Sequence, residues 1–65
     1  MILKVNGSEV NLGVRNIPGL LKHYGIKKGS VVIEINGIII KKEEYASFAL
    51  KENDSIEIIT IAGGG

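Results

Sequence analysis

Apolar and polar positions alternate along the first twelve residues, and the alternation is interrupted once, at Asn6-Gly7. A period of two is the signature of a half-buried strand. Asn-Gly favours a type I′ turn because both residues tolerate positive φ. The pattern predicts a hairpin of strands Met1–Val5 and Ser8–Leu12, with Val5 facing Ser8, Leu3 facing Val10 and Met1 facing Leu12. Those pairs share one face, and Lys4, Glu9 and Asn11 fall on the other. A second Asn-Gly, at Asn36-Gly37, predicts a hairpin of Val31–Ile35 and Ile38–Lys41. There Ile35 faces Ile38 and Ile33 faces Ile40, with Glu34 and Ile39 on the opposite side.

Between the hairpins the period changes. Ile17, Leu20, Leu21 and Tyr24 recur at i, i+3, i+4 and i+7, which is one face of a helix. Asn16 suits its N-cap, Pro18 its first turn and Gly25 the left-handed position after its end. Gly19 weakens this helix by roughly 0.5–1 kcal/mol relative to Ala, and a helix this short needs packing to persist. Lys42–Phe48 is expected to form one or two further helical turns, and Leu50–Asp54 a turn with Asn53 at positive φ. Ser55–Ile61 reads as the last strand, with Ile56 and Ile58 on one face and Glu57, Ile59 and Ile61 on the other. The order β-β-α-β-β-(short helix)-β describes an α+β domain in which one main helix packs across one face of a mixed sheet of about five strands.

With 65 residues the chain is a single small domain, and a domain of this size buries only about 60% of its unfolded surface. It has no Cys and one His, so neither a disulfide nor a structural zinc site is available. A net charge of +1, with the charges mixed along the chain, argues against nucleic-acid binding, which calls for a basic stripe. No apolar run approaches the roughly 18 residues of a membrane span. Met1–Val5 is too short and too soon polar for a signal peptide, and the expected location is the cytoplasm.

Candidate chemistry is sparse. Ser8, Ser30, Ser47 and Ser55 lie beside turns or strand ends, and the one base suited to activate them, His23, falls on the helix surface. Glu43 and Glu44 are adjacent on a helical turn and do not face one another. The domain is therefore not expected to be an enzyme by itself, and no catalytic residue, metal ligand or bound cofactor is assigned. The informative feature is the end, Ala62-Gly63-Gly64-Gly65. One reading is a frayed terminus. The other is a tail without side chains, reaching about 13 Å at ~3.3 Å per residue, that threads into another protein's active site and presents its carboxylate there. A carboxylate of unperturbed pKa about 3.3–3.7 is anionic and unreactive at neutral pH, and acyl-adenylate formation is a direct route to activate it. The expected organisation is a domain over residues 1–61 and a flexible Gly-rich tail over 62–65.

The element order, the size and the terminal Gly-Gly resemble the β-grasp (ubiquitin-like) sulfur carriers of the ThiS and MoaD type. The segments Val32-Ile33-Glu34-Ile35-Asn36-Gly37, Glu43-Glu44-Tyr45, Leu50 with Asp54, and Ile56–Ile59 running into Ala62-Gly63-Gly64-Gly65 are closer to ThiS. MoaD-type carriers have Pro-Pro shortly before the Gly-Gly, where this chain has Ile59-Thr60-Ile61. Lys41-Lys42 replaces the Pro-Arg common in ThiS sequences, and Asn53-Asp54 replaces Gly-Asp. The resemblance implies a sulfur carrier in thiamine (thiazole) biosynthesis. A ThiF-like adenylyltransferase would use ATP to adenylate Gly65, a cysteine persulfide would donate sulfur to give a thiocarboxylate, and thiazole synthase (ThiG) would take that sulfur. Gly63 and Gly64 would enter the partner's active site. If the helix covers Leu3, Val5, Ile33 and Ile58, then Ile2, Val32, Ile59 and Ile61 face outward as an expected docking patch. Molybdopterin synthesis, tRNA thiolation, a non-covalent β-grasp binding module and a ubiquitin-like modifier are the competing readings.

Overall fold

The computed structural model describes residues 1–61. The expected tail, Ala62, Gly63, Gly64 and Gly65, lies outside the described residues. The elements are β1 (Ile2–Val5), β2 (Ser8–Asn11), α1 (Ile17–Tyr24), β3 (Val31–Ile35), β4 (Ile38–Ile40) and β5 (Ser55–Thr60). Single 3₁₀ turns occupy Lys28–Ser30 and Lys42–Glu44. The sheet has five strands in the order β2-β1-β5-β3-β4, and β1 and β5 run parallel at its middle while the other neighbours are antiparallel.

Both hairpins form in the expected register, with Leu3 opposite Val10 and Ile33 opposite Ile40. Their turns hold φ near 50° at Asn6 and Asn36 and above 80° at Gly7 and Gly37, the two consecutive positive values that define type I′. Met1 and Leu12 fall outside the assigned strands, yet their backbones pair, the Leu12 N–H donating to the Met1 carbonyl at 2.9 Å.

Local chemistry sets the bounds of α1. The Asn16 side chain accepts from the Gly19 N–H at 2.9 Å, and Gly25 takes the left-handed conformation at φ 67°. A Cβ at residue 19 would come within 3.2 Å of that capping oxygen, which accounts for a glycine in the first turn. Ile17, Leu20 and Leu21 are buried, but Tyr24, expected on the same face, is 39% exposed. It lies at the last helical position and packs edge-on against the His23 ring at 5.0 Å. The chain turns at once, and the Ile26 N–H closes on the Leu21 carbonyl.

The helix lies over Leu3, Ile33, Ile35 and Ile56, all essentially inaccessible. Burying one such side chain contributes about 1.5–3 kcal/mol, so a few of them outweigh the poor intrinsic helicity of eight residues that include Pro18 and Gly19. Two residues expected on the covered face are less buried than the alternation implied. Ile38 is 65% exposed because it opens edge strand β4 beside the turn, past the reach of α1. Ile58 is only partly buried, since β5 has by then run past the end of β1. The one or two helical turns expected over Lys42–Phe48 are a 3₁₀ turn at Lys42–Glu44 and a further turn in which the Phe48 N–H donates to the Glu44 carbonyl at 2.9 Å, and Tyr45 and Leu50 insert into the core.

A polar knot ties the second hairpin to the start of β5. The Asp54 carboxylate accepts from Asn36 Nδ2 at 2.9 Å and from the Lys51 N–H at 2.8 Å. Asn36 Oδ1 in turn accepts from the Ser55 N–H at 2.9 Å. Asp54 is the one charged residue among the buried residues described. Asp54→Ala leaves two partly buried donors unpaired and is expected to cost about 1–3 kcal/mol. In a domain this small each 1 kcal/mol lowers Tm by roughly 4–8 °C. Thermal unfolding followed by circular dichroism measures it, and an unchanged midpoint would mean that water replaces the carboxylate at no cost.

Candidate functional site

The sheet has one face under α1 and one face open. By register, the open face carries Ile2 and Lys4 on β1, Glu9 and Asn11 on β2, Glu57 and Ile59 on β5, Val32 and Glu34 on β3, and Ile39 on β4. Val32 stands directly opposite Ile59. Ile61 follows two residues later, and its N–H donates to the Ser30 carbonyl at 3.0 Å, which extends the β3–β5 ladder to the last described residue. Ile59 is 48% and Ile61 40% exposed. Val32, Ile59 and Ile61 therefore form one apolar cluster where β5 ends.

Ile2 does not belong to it. The parallel register sets Lys4 level with Ser55, so Ile2, two residues before Lys4, and Ile59, four after Ser55, are separated by about 20 Å at ~3.3 Å per residue. Ile2 lies instead beside the loop before β5, its N–H on the Glu52 carboxylate and its carbonyl accepting from the Asn53 N–H. Alternation put all four residues on one face, but it carries no information about the offset between strands that are distant in sequence.

One contributor to this region was not legible as more than a turn residue. Asn6 Oδ1 accepts from the Ile58 N–H at 2.7 Å, taking over from β1 as partner to β5 beyond the hairpin. It thereby holds β5 in line just before Ile59. Ser30 is a second, since its carbonyl anchors Ile61 although only its hydroxyl drew attention in the sequence. Of the catalytic candidates, His23 is exposed on α1, and the Ser30 hydroxyl donates to the Lys27 carbonyl at 2.8 Å. No cluster of metal-ligating side chains exists among the described residues, and none of their helices is long and apolar enough to cross a membrane.

On the helix side a cavity of about 220 Å³ is lined by Pro18, Leu21, Lys22, Ile26, Lys28 and Tyr45. That is below the roughly 300–1,000 Å³ of small-molecule sites, and of its lining Leu21 and Tyr45 belong to the buried core. The exposed apolar side chains at the end of β5 lie on the opposite side of the sheet from this cavity.

A sequence model of the ThiS family matches residues 3–65. The chain belongs to the ThiS family. It is 36% identical to the sulfur carrier protein ThiS of Bacillus subtilis, across 98% of this chain and 100% of that one. It is 35% identical to a thiazole synthase of Paramagnetospirillum magneticum, where the whole of this chain corresponds to 20% of the larger protein. The fold superposes on the crystal structure of the thiamine biosynthesis protein ThiS from Geobacter metallireducens with a TM-score of 0.83, at 29% identity and with both chains fully covered. The architecture of this ThiS-family chain is accordingly the β-grasp.

Tyr45 gives the ThiS-family core a pH-dependent element. Burial raises its pKa above the ordinary 10.0, and a backbone hydrogen bond with Ile33 offsets part of the rise. The folded chain then holds the phenolic proton to higher pH than the unfolded chain does. Its contribution is complete below pH about 10 and is lost as pH rises through the folded value. Tyr45→Phe is expected to flatten the alkaline limb of a stability profile measured by urea unfolding from about pH 8 to 11. An identical limb in the variant would assign the loss to other groups.

Proposed function

We propose that this chain is the sulfur carrier of a thiazole-forming pathway, a protein co-substrate whose reacting group is the carboxylate of Gly65. The observation that carries the reading is the ThiS-family match running through the terminal glycines to residue 65. The similarity of the whole chain to part of thiazole synthases from two organisms favours thiazole synthase (ThiG) as acceptor over the molybdopterin and tRNA-thiolation readings.

In the proposed cycle a carboxylate oxygen of Gly65 attacks the α-phosphorus of ATP within a ThiF-like adenylyltransferase, and pyrophosphate leaves. A cysteine persulfide attacks the acyl carbon and AMP departs. Reduction of the resulting acyl disulfide by a thiol leaves the thiocarboxylate. This chain contributes the substrate carboxyl and its delivery. Gly63 and Gly64 put no Cβ in the way of a narrow channel, and the partner supplies stabilisation of charge on the phosphates. The sequence has no Cys, which fits a carrier whose sulfur is held on a carbonyl carbon.

Intact-mass analysis after incubation with ATP, the adenylyltransferase, a persulfide donor and a thiol reductant tests the reading. Exchange of one carboxylate oxygen for sulfur is expected in the intact chain, and none after deletion of Gly64-Gly65. Persistent absence of both adenylate and thiocarboxylate with competent partners would leave a non-covalent β-grasp module. A second expectation concerns docking through Val32, Ile59 and Ile61. Ile59→Glu changes an exposed position, so stability should stay within about 0.5 kcal/mol, while the KM of the carrier for adenylation rises. Unchanged adenylation kinetics in the folded variant would remove this cluster from the interface.

A further inference from the structure

Next to the apolar pair Val32–Ile59 on the open face lies a pair that folding alone does not favour. Glu34 and Glu57 are direct cross-strand partners, and like charges directly opposite one another destabilise a sheet. The bonds from Ile61 to Ser30 and from Asn36 to Ser55 fix the phase of this ladder and make Glu34–Glu57 one of its hydrogen-bonded pairs, with Cα atoms about 5.5 Å apart. On its other side Glu34 meets Ile39 of β4, which is 64% exposed, while Glu57 passes beyond β1 toward Asn6. The nearest basic residues are each one row away. Lys4 is level with Ser55 and has Glu9 as its own direct partner, and Lys41 follows the end of β4.

We infer that this face is a docking surface for a basic segment of the adenylating partner, in which an arginine spans Glu34 and Glu57 while an apolar neighbour covers Val32 and Ile59. Two carboxylates at cross-strand spacing match the planar, multiply donating guanidinium better than they match a point charge. The Val32–Ile59 row beside the pair and Ile39 level with Glu34 border such a bridge with apolar surface, and lower local polarity there strengthens it. The position suits this role, because one row separates the acidic pair from Ile59, and one more separates Ile59 from Ile61 at the end of the described chain. An enzyme that takes the C-terminus engages the chain beyond Ile61, and Ile61 ends the strand that carries Glu57 and Ile59. The partner's identity rests on the carrier reading, whereas the acidic pair can fail as its contact while that reading stands.

The test compares the wild-type chain with Glu34→Gln, Glu57→Gln and the double variant in ATP–pyrophosphate exchange by the ThiF-like adenylyltransferase, at low and high salt. The amide keeps the shape of the side chain and removes the repulsion, so thermal midpoints should not fall. The double variant is expected to raise the KM for the carrier about tenfold or more at low salt with kcat retained, and to flatten the salt dependence that the wild type shows. Glu9→Gln, on the same face but outside the row, should change neither. Unaltered KM and salt slope in the folded double variant would overturn the inference. A lysine partner in place of arginine would show as full activity with a lysine-substituted adenylyltransferase and would overturn the bidentate bridge. Failure of the wild-type chain to be adenylated at all would overturn the carrier reading, and with it the proposed partner.

Discussion

The parallel pairing of β1 with β5 is the constraint on which the remaining geometry depends. It brings the first and last strands together at the middle of the sheet, with Val5 beside Ile56 and Ile56 beside Ile35. It is also a short overlap, covering Lys4 with Ser55 and Val5 with Ile56. Among the described residues β5 therefore continues for four residues with β3 as its one strand neighbour, and the Asn6 side chain pairs with the Ile58 N–H beyond the overlap. Were β5 in full register with β1, Ile59 would lie mid-sheet, hemmed on both sides. The offset instead carries Ile59 and Ile61 to an end of the domain where a partner can approach.

The parts of this fold set by neighbours in sequence were readable from it. Two Asn-Gly dipeptides fixed two turns and so two registers, and Asn16 and Gly25 marked the ends of α1 because capping needs only residues within one turn. What could not be read depends on contacts between distant segments. Nothing in the alternation of Met1–Val5 states that β1 lies level with Ser55, so Ile2 was grouped with residues about 20 Å away. Tyr24 obeys the helical period but stands where α1 runs out of sheet to cover. Tyr45 was expected on a helical turn, and the single 3₁₀ turn before it serves chiefly to drop its ring into the core.

The candidate site shows the same division. Val32, Ile59 and Ile61 follow from alternation once β3 and β5 are neighbours, and the terminal glycines were visible as composition. The Glu34–Glu57 pair was not, because each residue alone is an ordinary solvated charge on a strand. Only the β3–β5 register, which joins segments distant in sequence, turns them into direct neighbours. Polar residues read by local rules also do more than those rules state. Asn36 is a turn residue whose side chain bridges Asp54 and Ser55, and Asn6 is another whose side chain extends the ladder of β5.

In the proposed cycle the carrier meets an activating enzyme and then an acceptor, and such a carrier gains from a surface that binds firmly enough to orient the tail and weakly enough to let go. An apolar cluster of two or three residues supplies area without direction. A charged row beside it supplies direction, speeds encounter and weakens as salt rises. Such a row must lie near the end of β5 to be useful, and in a sheet of five short strands few positions on the open face meet that condition. Repulsion between Glu34 and Glu57 in the free domain is relieved when a cation bridges them, so part of the binding energy is held as a local penalty in the unbound state. The polar knot at Asp54, immediately before β5, holds the start of that strand against the second hairpin. The domain can then tolerate a repelling pair further along β5 without losing the register that creates it.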